Sequence, residues 1–112
     1  MILNIGVDIE QASRFRKINK NFLLRFFSKN EIGKIKITDS GRIAGIFCAK
    51  EAVIKACTPI EKLHFENIEI LHREDNSPYA LIKKSKKIKS GDIRLSISHS
   101  KDYAVAAAIL IK

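Results

Sequence analysis

Phe47-Cys48-Ala49-Lys50-Glu51-Ala52-Val53-Ile54-Lys55-Ala56 is the stretch on which the reading of this chain turns. It reads as helix, and at 3.6 residues per turn Glu51 and Lys55, four apart, share a face. On the same wheel Ile43, Phe47 and Ile54 form an apolar core stripe, while Ala44, Cys48, Glu51 and Lys55 fall on the neighbouring face. Small side chains beside two opposite charges describe a shallow pocket for something charged and bulky. An exposed pair at this spacing adds only about 0.2–0.5 kcal/mol to a helix. The rest of the chain decides between a minor surface contact and a site.

Outward from that helix, Thr38-Asp39-Ser40-Gly41 supplies its start and Thr58-Pro59 its stop, since proline biases the residue before it away from helical angles. Ser28-Lys29-Asn30-Glu31 has the form of a capping box and predicts a short helix through about Lys36. From Glu10 to Phe27 the spacing of Phe15, Ile18, Phe22, Leu23 and Phe26 predicts helix, broken near residues 19–21. Residues 2–9 alternate as a strand, with Leu3, Ile5, Val7 and Ile9 on one face and Asn4, Gly6 and Asp8 on the other. Gly6 leaves space next to Asp8, which is either a cap for the following segment or a metal ligand.

Beyond the helix, residues 68–71 and 79–82 read as paired strands around the turn-rich Glu74-Asp75-Asn76-Ser77-Pro78. Lys83 to Lys89 holds five lysines in seven residues. Such a run is a solvated face, a mobile loop, or a docking patch for an acidic partner. Residues 93–98 and 103–111 form a C-terminal hairpin whose tight connection, His99-Ser100-Lys101-Asp102, places His99 within reach of a ligand at the sheet edge.

With 112 residues and 46% hydrophobic content, one domain spanning residues 1–112 is expected. Its class is α+β: an antiparallel sheet packed against a central helix. The longest apolar run, Tyr103 to Ile111, is far short of the roughly twenty residues of a membrane span. Asn4, Asp8, Glu10 and Arg14 interrupt the N-terminus before it could serve as a secretory signal. A soluble cytoplasmic protein is expected, with no membrane partner. Cys48 and Cys57, on one helix, stand about 13 Å apart and read as buried thiols. The 21 Lys and Arg against 12 Asp and Glu give a formal charge of +9, which implies an acidic partner.

Three stretches in this order, Gly6-Val7-Asp8-Ile9, Lys50-Glu51-Ala52-x-x-Lys55-Ala56 and Ser96-Ile97-Ser98-His99-Ser100, resemble the 4'-phosphopantetheinyl transferases. The closer likeness is to their short bacterial branch, the holo-[acyl-carrier-protein] synthases. Arg14 after the first strand, Phe27 with Glu31 as an F-x-x-x-E element, and Ala44-Gly45 extend the resemblance from residue 3 to about residue 110. It implies transfer of the phosphopantetheine arm of coenzyme A to a serine of apo acyl carrier protein, in fatty acid biosynthesis, with release of adenosine 3',5'-bisphosphate.

Position by position, the resemblance implies Asp8 and Glu51 as ligands of Mg2+, Lys55 as a contact to the transferred phosphate, and His99 near the nucleotide and phosphates. It places Arg14 toward the carrier protein; carrier proteins are typically acidic, so the positive charge of this region makes Lys17, Lys20 and Arg25 expected docking residues as well. Magnesium suits the chemistry, because it keeps several waters and needs only one or two carboxylates plus substrate phosphates. Glu51, directly or through a water on the metal, is the candidate base for the incoming serine. Ala44 and Cys48 are expected to let coenzyme A approach the helix. The branch also implies a homotrimer with active sites between subunits, residues 104–111 suiting a buried intersubunit sheet.

Two positions depart from the pattern. Ile46 stands where relatives often carry Arg or Trp, so one contact to the nucleotide end of coenzyme A is either missing or supplied elsewhere. Asn76-Ser77-Pro78 lacks the glycine usual before that proline. Of the competing readings, a small basic nucleic-acid-binding domain is disfavoured: there is no Trp, and Phe15, Phe22, Phe26, Phe27 and Phe47 fit core positions. A coenzyme A or carrier-protein binding module without catalysis is disfavoured by the intact set Asp8, Glu51, Lys55 and His99.

Overall fold

Strand β1, Leu3–Gln11, pairs antiparallel with β5, Tyr103–Ile111, along its whole length, and β5 pairs in turn with β4, Ile93–His99. The resulting sheet has the order β1-β5-β4. The computed structural model describes residues 1–112. Between these strands lie α1 (Lys20–Phe26), α2 (Lys29–Gly33), α3 (Ser40–Cys57) and a separate antiparallel hairpin of β2 (Ile68–His72) and β3 (Pro78–Ile82). The expected α+β arrangement, an antiparallel sheet against a central helix, is the observed one.

Helix α3 is the axis of the core. Asp39 caps it, its carboxylate accepting from the Arg42 amide at 3.1 Å, and it ends at Cys57 beside Thr58-Pro59 as the sequence predicts. Twelve of its eighteen residues are buried. A single apolar stripe therefore understates it: the three-stranded sheet covers one side, and Phe15, Phe26 and Phe65 pack on Phe47 on another. A helix enclosed this far is apolar almost all round.

The segment after β1 departs from expectation. The ladder with β5 holds residues through Gln11 in strand, the Ala12 amide donates to the Asp102 carbonyl at 2.8 Å, and a 3-10 turn covers Ala12–Phe15. Helix begins only at Lys20, where the Asn19 side chain accepts from the Phe22 amide at 2.9 Å. The Ser28/Glu31 capping box forms, but α2 stops at Gly33 rather than near Lys36.

Alternation in β1 does not say which face is the core, and here the apolar face is the outer one. Leu3, Ile5, Val7 and Ile9 are exposed, while Gly6 and Asp8 face α3. A Cβ on Gly6 would sit 2.1 Å from the Ala52 carbonyl oxygen and 2.7 Å from the Ala56 amide nitrogen. Gly6 therefore makes no room for an ion; its missing side chain is the space into which the helix backbone packs.

Asn76 takes φ 70°, the left-handed region that asparagine tolerates, which absorbs the missing glycine of that turn. The lysine run is tied to the rest of the chain. Ile88 is buried, and the Glu61 carboxylate accepts from Ser85 Oγ at 2.7 Å and the Lys87 amide at 3.0 Å. Both cysteines are free and buried, and burial pushes their thiols up, to about 12 for Cys48 and about 11 for Cys57.

Candidate active site

Gly6 brings β1 hard against α3, and this contact sets Asp8 beside the Glu51/Lys55 face. Lys55 Nζ donates to Asp8 Oδ1 at 3.1 Å and to the Val7 carbonyl at 2.9 Å. The other carboxylate oxygen, Asp8 Oδ2, is buried and has no partner. One helical turn before Lys55, half-buried Glu51 is pushed above the ordinary carboxylate range, first by burial and then by the Asp8 charge, with Lys55 and Arg14 opposing. Glu10, two residues along the same strand face, is also raised, chiefly by burial and then by the neighbouring Asp8 carboxylate. Its carboxylate lies 2.6 Å from Arg14 Nη1.

This end of the helix is thus a crowded acidic wall that is short of positive charge. No three metal-ligating side chains gather anywhere in the chain. Two carboxylates with an unpartnered buried oxygen do fit Mg2+, which completes its octahedron with waters and phosphate oxygens. Asp8 and Glu51 are the residues able to hold it.

His99 is the last residue of β4 rather than part of the loop, and its ring lies against the helix one strand beyond β5. A Cβ on Gly45 would approach His99 Nε2 to 2.4 Å, so Gly45 is the notch that receives the imidazole. Register puts Glu10 and His99 on either side of Ala104, two strand spacings or about 10 Å apart. One chain therefore brings Asp8, Glu51 and Lys55 together and leaves His99 apart from them.

Ala44 and Cys48 are not lining residues, which corrects the expectation that they admit coenzyme A to the helix. Both are 0% exposed. Cys48 Sγ donates to the Ala104 carbonyl at 3.3 Å, so β5 lies directly over this face. Small residues are there because a strand of alanines packs on them.

Among the expected docking residues, Lys17 and Lys20 are exposed and make no ion pair. Arg14 is pinned by Glu10 and lies 5.2 Å from the Phe47 ring centre, at the edge of the acidic wall. Arg25 and Glu51 line one groove of about 390 Å³ together with Ile54, Lys62 and Phe65. An expected docking residue and a carboxylate of the acidic wall thus share one groove.

Sequence reasoning missed the partner of Lys50. Its ammonium is buried, 2.6 Å from Glu31 Oε1, and donates to the Phe26 carbonyl at 2.8 Å. Glu31 Oε2 accepts from the Ile70 amide at 2.7 Å. This pair ties α2, α3 and β2 together behind Glu51. The capping box had given Glu31 a sufficient local role, and nothing in the sequence joins it to a lysine nineteen residues later.

A sheet-and-helix fold with paired carboxylates and a lysine at the contact of first strand and central helix is an arrangement for handling phosphate groups. Residues 4–108 match the model of the 4'-phosphopantetheinyl transferase superfamily, and the chain belongs to it. It is 41% identical to the holo-[acyl-carrier-protein] synthase of Thermoanaerobacter sp. (strain X514), over 99% of this chain and 88% of that protein. It is 39% identical to that of Oceanobacillus iheyensis, over 98% and 97% of the two chains. The crystal structure of the Helicobacter pylori holo-[acyl-carrier-protein] synthase in complex with coenzyme A superposes with a TM-score of 0.80 at 35% identity, covering 95% of this chain and 98% of that one.

Proposed function

We propose that this chain, acting as one catalytic unit over residues 1–112, transfers the 4'-phosphopantetheine arm of coenzyme A to a serine of apo acyl carrier protein. The by-product is adenosine 3',5'-bisphosphate, and the holo carrier serves fatty acid biosynthesis in the cytoplasm. The observation that carries this reading is the half-satisfied Asp8 carboxylate beside raised Glu51, with Lys55 on the same wall. The carrier is that named by the relatives, and the donor is the coenzyme A held by the Helicobacter pylori enzyme.

Mg2+ held by Asp8 and Glu51 would neutralise charge on the phosphate oxygens of the substrate. The chain's own residues do the rest. Lys55, exposed and reached by its long side chain, meets the phosphate that is transferred and stabilises charge gathering on its oxygens. The serine oxygen forms a bond to the phosphorus nearest the pantetheine arm while the bond to the nucleotide-side oxygen breaks. That oxygen leaves with adenosine 3',5'-bisphosphate. The serine proton goes to Glu51, directly or through a water, because that carboxylate stands on the same helix face as Lys55.

His99 reaches the phosphates from a neighbouring protomer in this reading, because within one chain it stands apart from Asp8. A homotrimer is supported by the outer sheet face, where Leu3, Ile5, Val7, Ile9, Ile109 and Ile111 are all exposed. Apolar side chains covering a sheet face in this way mark an interface. Arg14, Lys17, Lys20 and Arg25 face the acidic carrier, so docking weakens as salt rises.

The test is to mix the protein with coenzyme A, Mg2+ and an apo acyl carrier protein and to weigh the carrier by mass spectrometry. A gain of one phosphopantetheine arm that chelator abolishes is expected. No gain with several carriers would overturn the reading.

A further inference from the structure

We infer that Lys50 is a positioning residue for the acceptor: its buried ammonium fixes the walls of the groove through which the carrier serine approaches Glu51. The role rests on the transferase reading above. It accounts for a charge that neither the acidic wall nor the phosphate chemistry uses.

The groove of about 390 Å³ is bounded by three elements. Glu51 and Ile54 come from α3, Arg25 from the last turn of α1, and Phe65 and Glu66 from the segment that follows α3. Lys50, the neighbour of Glu51 on α3, is 1% exposed and runs into the core behind them. Its ammonium donates to the Phe26 carbonyl at 2.8 Å and to the Phe65 carbonyl at 3.5 Å, and lies 2.6 Å from Glu31 Oε1. An ammonium carries three donors, and each has an acceptor here. Phe26 closes α1, where helix carbonyls run out of intrahelical partners and a cation is favoured. Phe65 opens the 3-10 turn Phe65–Asn67. The two rings meet edge to face, 5.0 Å between centres, and both pack on Phe47. A shift of either carbonyl therefore moves Arg25 or Glu66, the next residue along each wall.

Glu31 holds the ammonium in place. Its oxygens also accept from the Ser28 amide at 2.8 Å and the Ile70 amide at 2.7 Å, which anchors the carboxylate to α2 and β2. Apolar side chains of similar volume often replace a buried ion pair without loss of stability. They do not hold carbonyls of two separate segments at set distances. The directed contacts of Lys50 thus fix geometry, and they do so behind the groove that a macromolecular acceptor enters. Asp8 and Lys55 bond to each other on the β1 side of α3 and share no hydrogen bond with Lys50. Loss of the ammonium is therefore felt by the carrier rather than by coenzyme A.

The test is steady-state transfer by wild type and by the double variant Lys50→Met with Glu31→Gln, which removes both buried charges where Lys50→Met alone strands a carboxylate. Circular dichroism verifies folding, KM is measured for apo carrier and for coenzyme A, and calorimetry with adenosine 3',5'-bisphosphate reports on the donor side. The double variant is expected to raise KM for the carrier at least about tenfold, as displaced groove walls require. KM for coenzyme A, bisphosphate affinity and kcat with both substrates saturating are expected to stay within about threefold of wild type. A role confined to stability leaves the carrier KM of the folded variant unmoved, and that result would overturn the assignment. Equal rises in both KM values would overturn it as a general loosening. A double variant that does not fold would overturn it too, by making the pair a condition of the fold rather than of the groove. Wild type that binds the bisphosphate but modifies no carrier would remove the transferase reading; wild-type transfer with an unmoved carrier KM in the variant would remove the role of Lys50 alone.

Discussion

Lys55 satisfies only half of Asp8: its ammonium lies 3.1 Å from Oδ1, while Oδ2 is buried without a partner. A buried oxygen left in that condition costs about 1–3 kcal/mol. The same few ångströms hold Glu51 and Glu10, both raised by burial and by Asp8. A site that is costly when empty of cation gains when a cation arrives, and this sets the first two expectations.

Glu51→Gln should stabilise the metal-free protein at neutral pH. A carboxyl whose folded pKa is raised favours folding below its unfolded pKa, near 4.3, and loses that contribution as pH rises through the folded value. The stabilisation should therefore be seen at pH 7.5 and shrink toward pH 4. Melting temperatures of both proteins in chelator across that range are the measurement. A lower melting temperature for the variant at pH 7.5 would contradict the electrostatic account of Glu51.

Mg2+ should raise the melting temperature of wild-type protein more at pH 7.5 than at pH 4.5, because it competes with protons for Glu51. Asp8→Asn should lose most of this shift. An equal shift in Asp8→Asn would place the cation elsewhere.

Lys50→Met should destabilise by about 3–5 kcal/mol, since it strands the Glu31 carboxylate in the core. The pair Lys50→Met with Glu31→Gln should recover part of that loss. Urea denaturation followed by circular dichroism measures both. Additive losses in the double variant would show that the two residues do not act as a pair.

Gly6 and Gly45 should respond differently to alanine. At Gly6 the new Cβ meets helix backbone at 2.1 Å, so Gly6→Ala should cost about 3 kcal/mol or more. At Gly45 it meets the tip of the His99 ring, which can swing aside, and alanine favours helix by about 1 kcal/mol. Gly45→Ala should fold normally and lose up to about 100-fold in transfer rate through the displaced imidazole. Full activity in Gly45→Ala would remove His99 from the site.

Local signals in the sequence located most of the elements. The Ser28 capping box, the Pro59 stop and the two hairpins each rest on residues that act within a few positions of themselves. Four features were out of reach because they depend on distant chain. Glu10 and Gln11 stay in strand because β5 continues beside them. The apolar face of β1 points outward because Gly6 must admit α3. Ala44 and Cys48 lie under β5, and His99 sits two strands from Glu10, for reasons of register that no single segment carries. Asp8, Glu51 and Lys55 were legible as a set only through family likeness, and the structure brings them together.

The central claim is that Asp8 and Glu51 form the cation-holding wall at which the phosphopantetheine arm changes partner. The most direct measurement is the initial rate of carrier modification against Mg2+ concentration for wild type and Asp8→Asn, with coenzyme A saturating and folding verified. Wild type should show a saturable dependence on Mg2+ that vanishes in chelator, and Asp8→Asn should fall by at least about 100-fold at every concentration, as loss of transition-state charge stabilisation requires. An Asp8→Asn enzyme with the wild-type rate and the wild-type Mg2+ dependence would contradict the account.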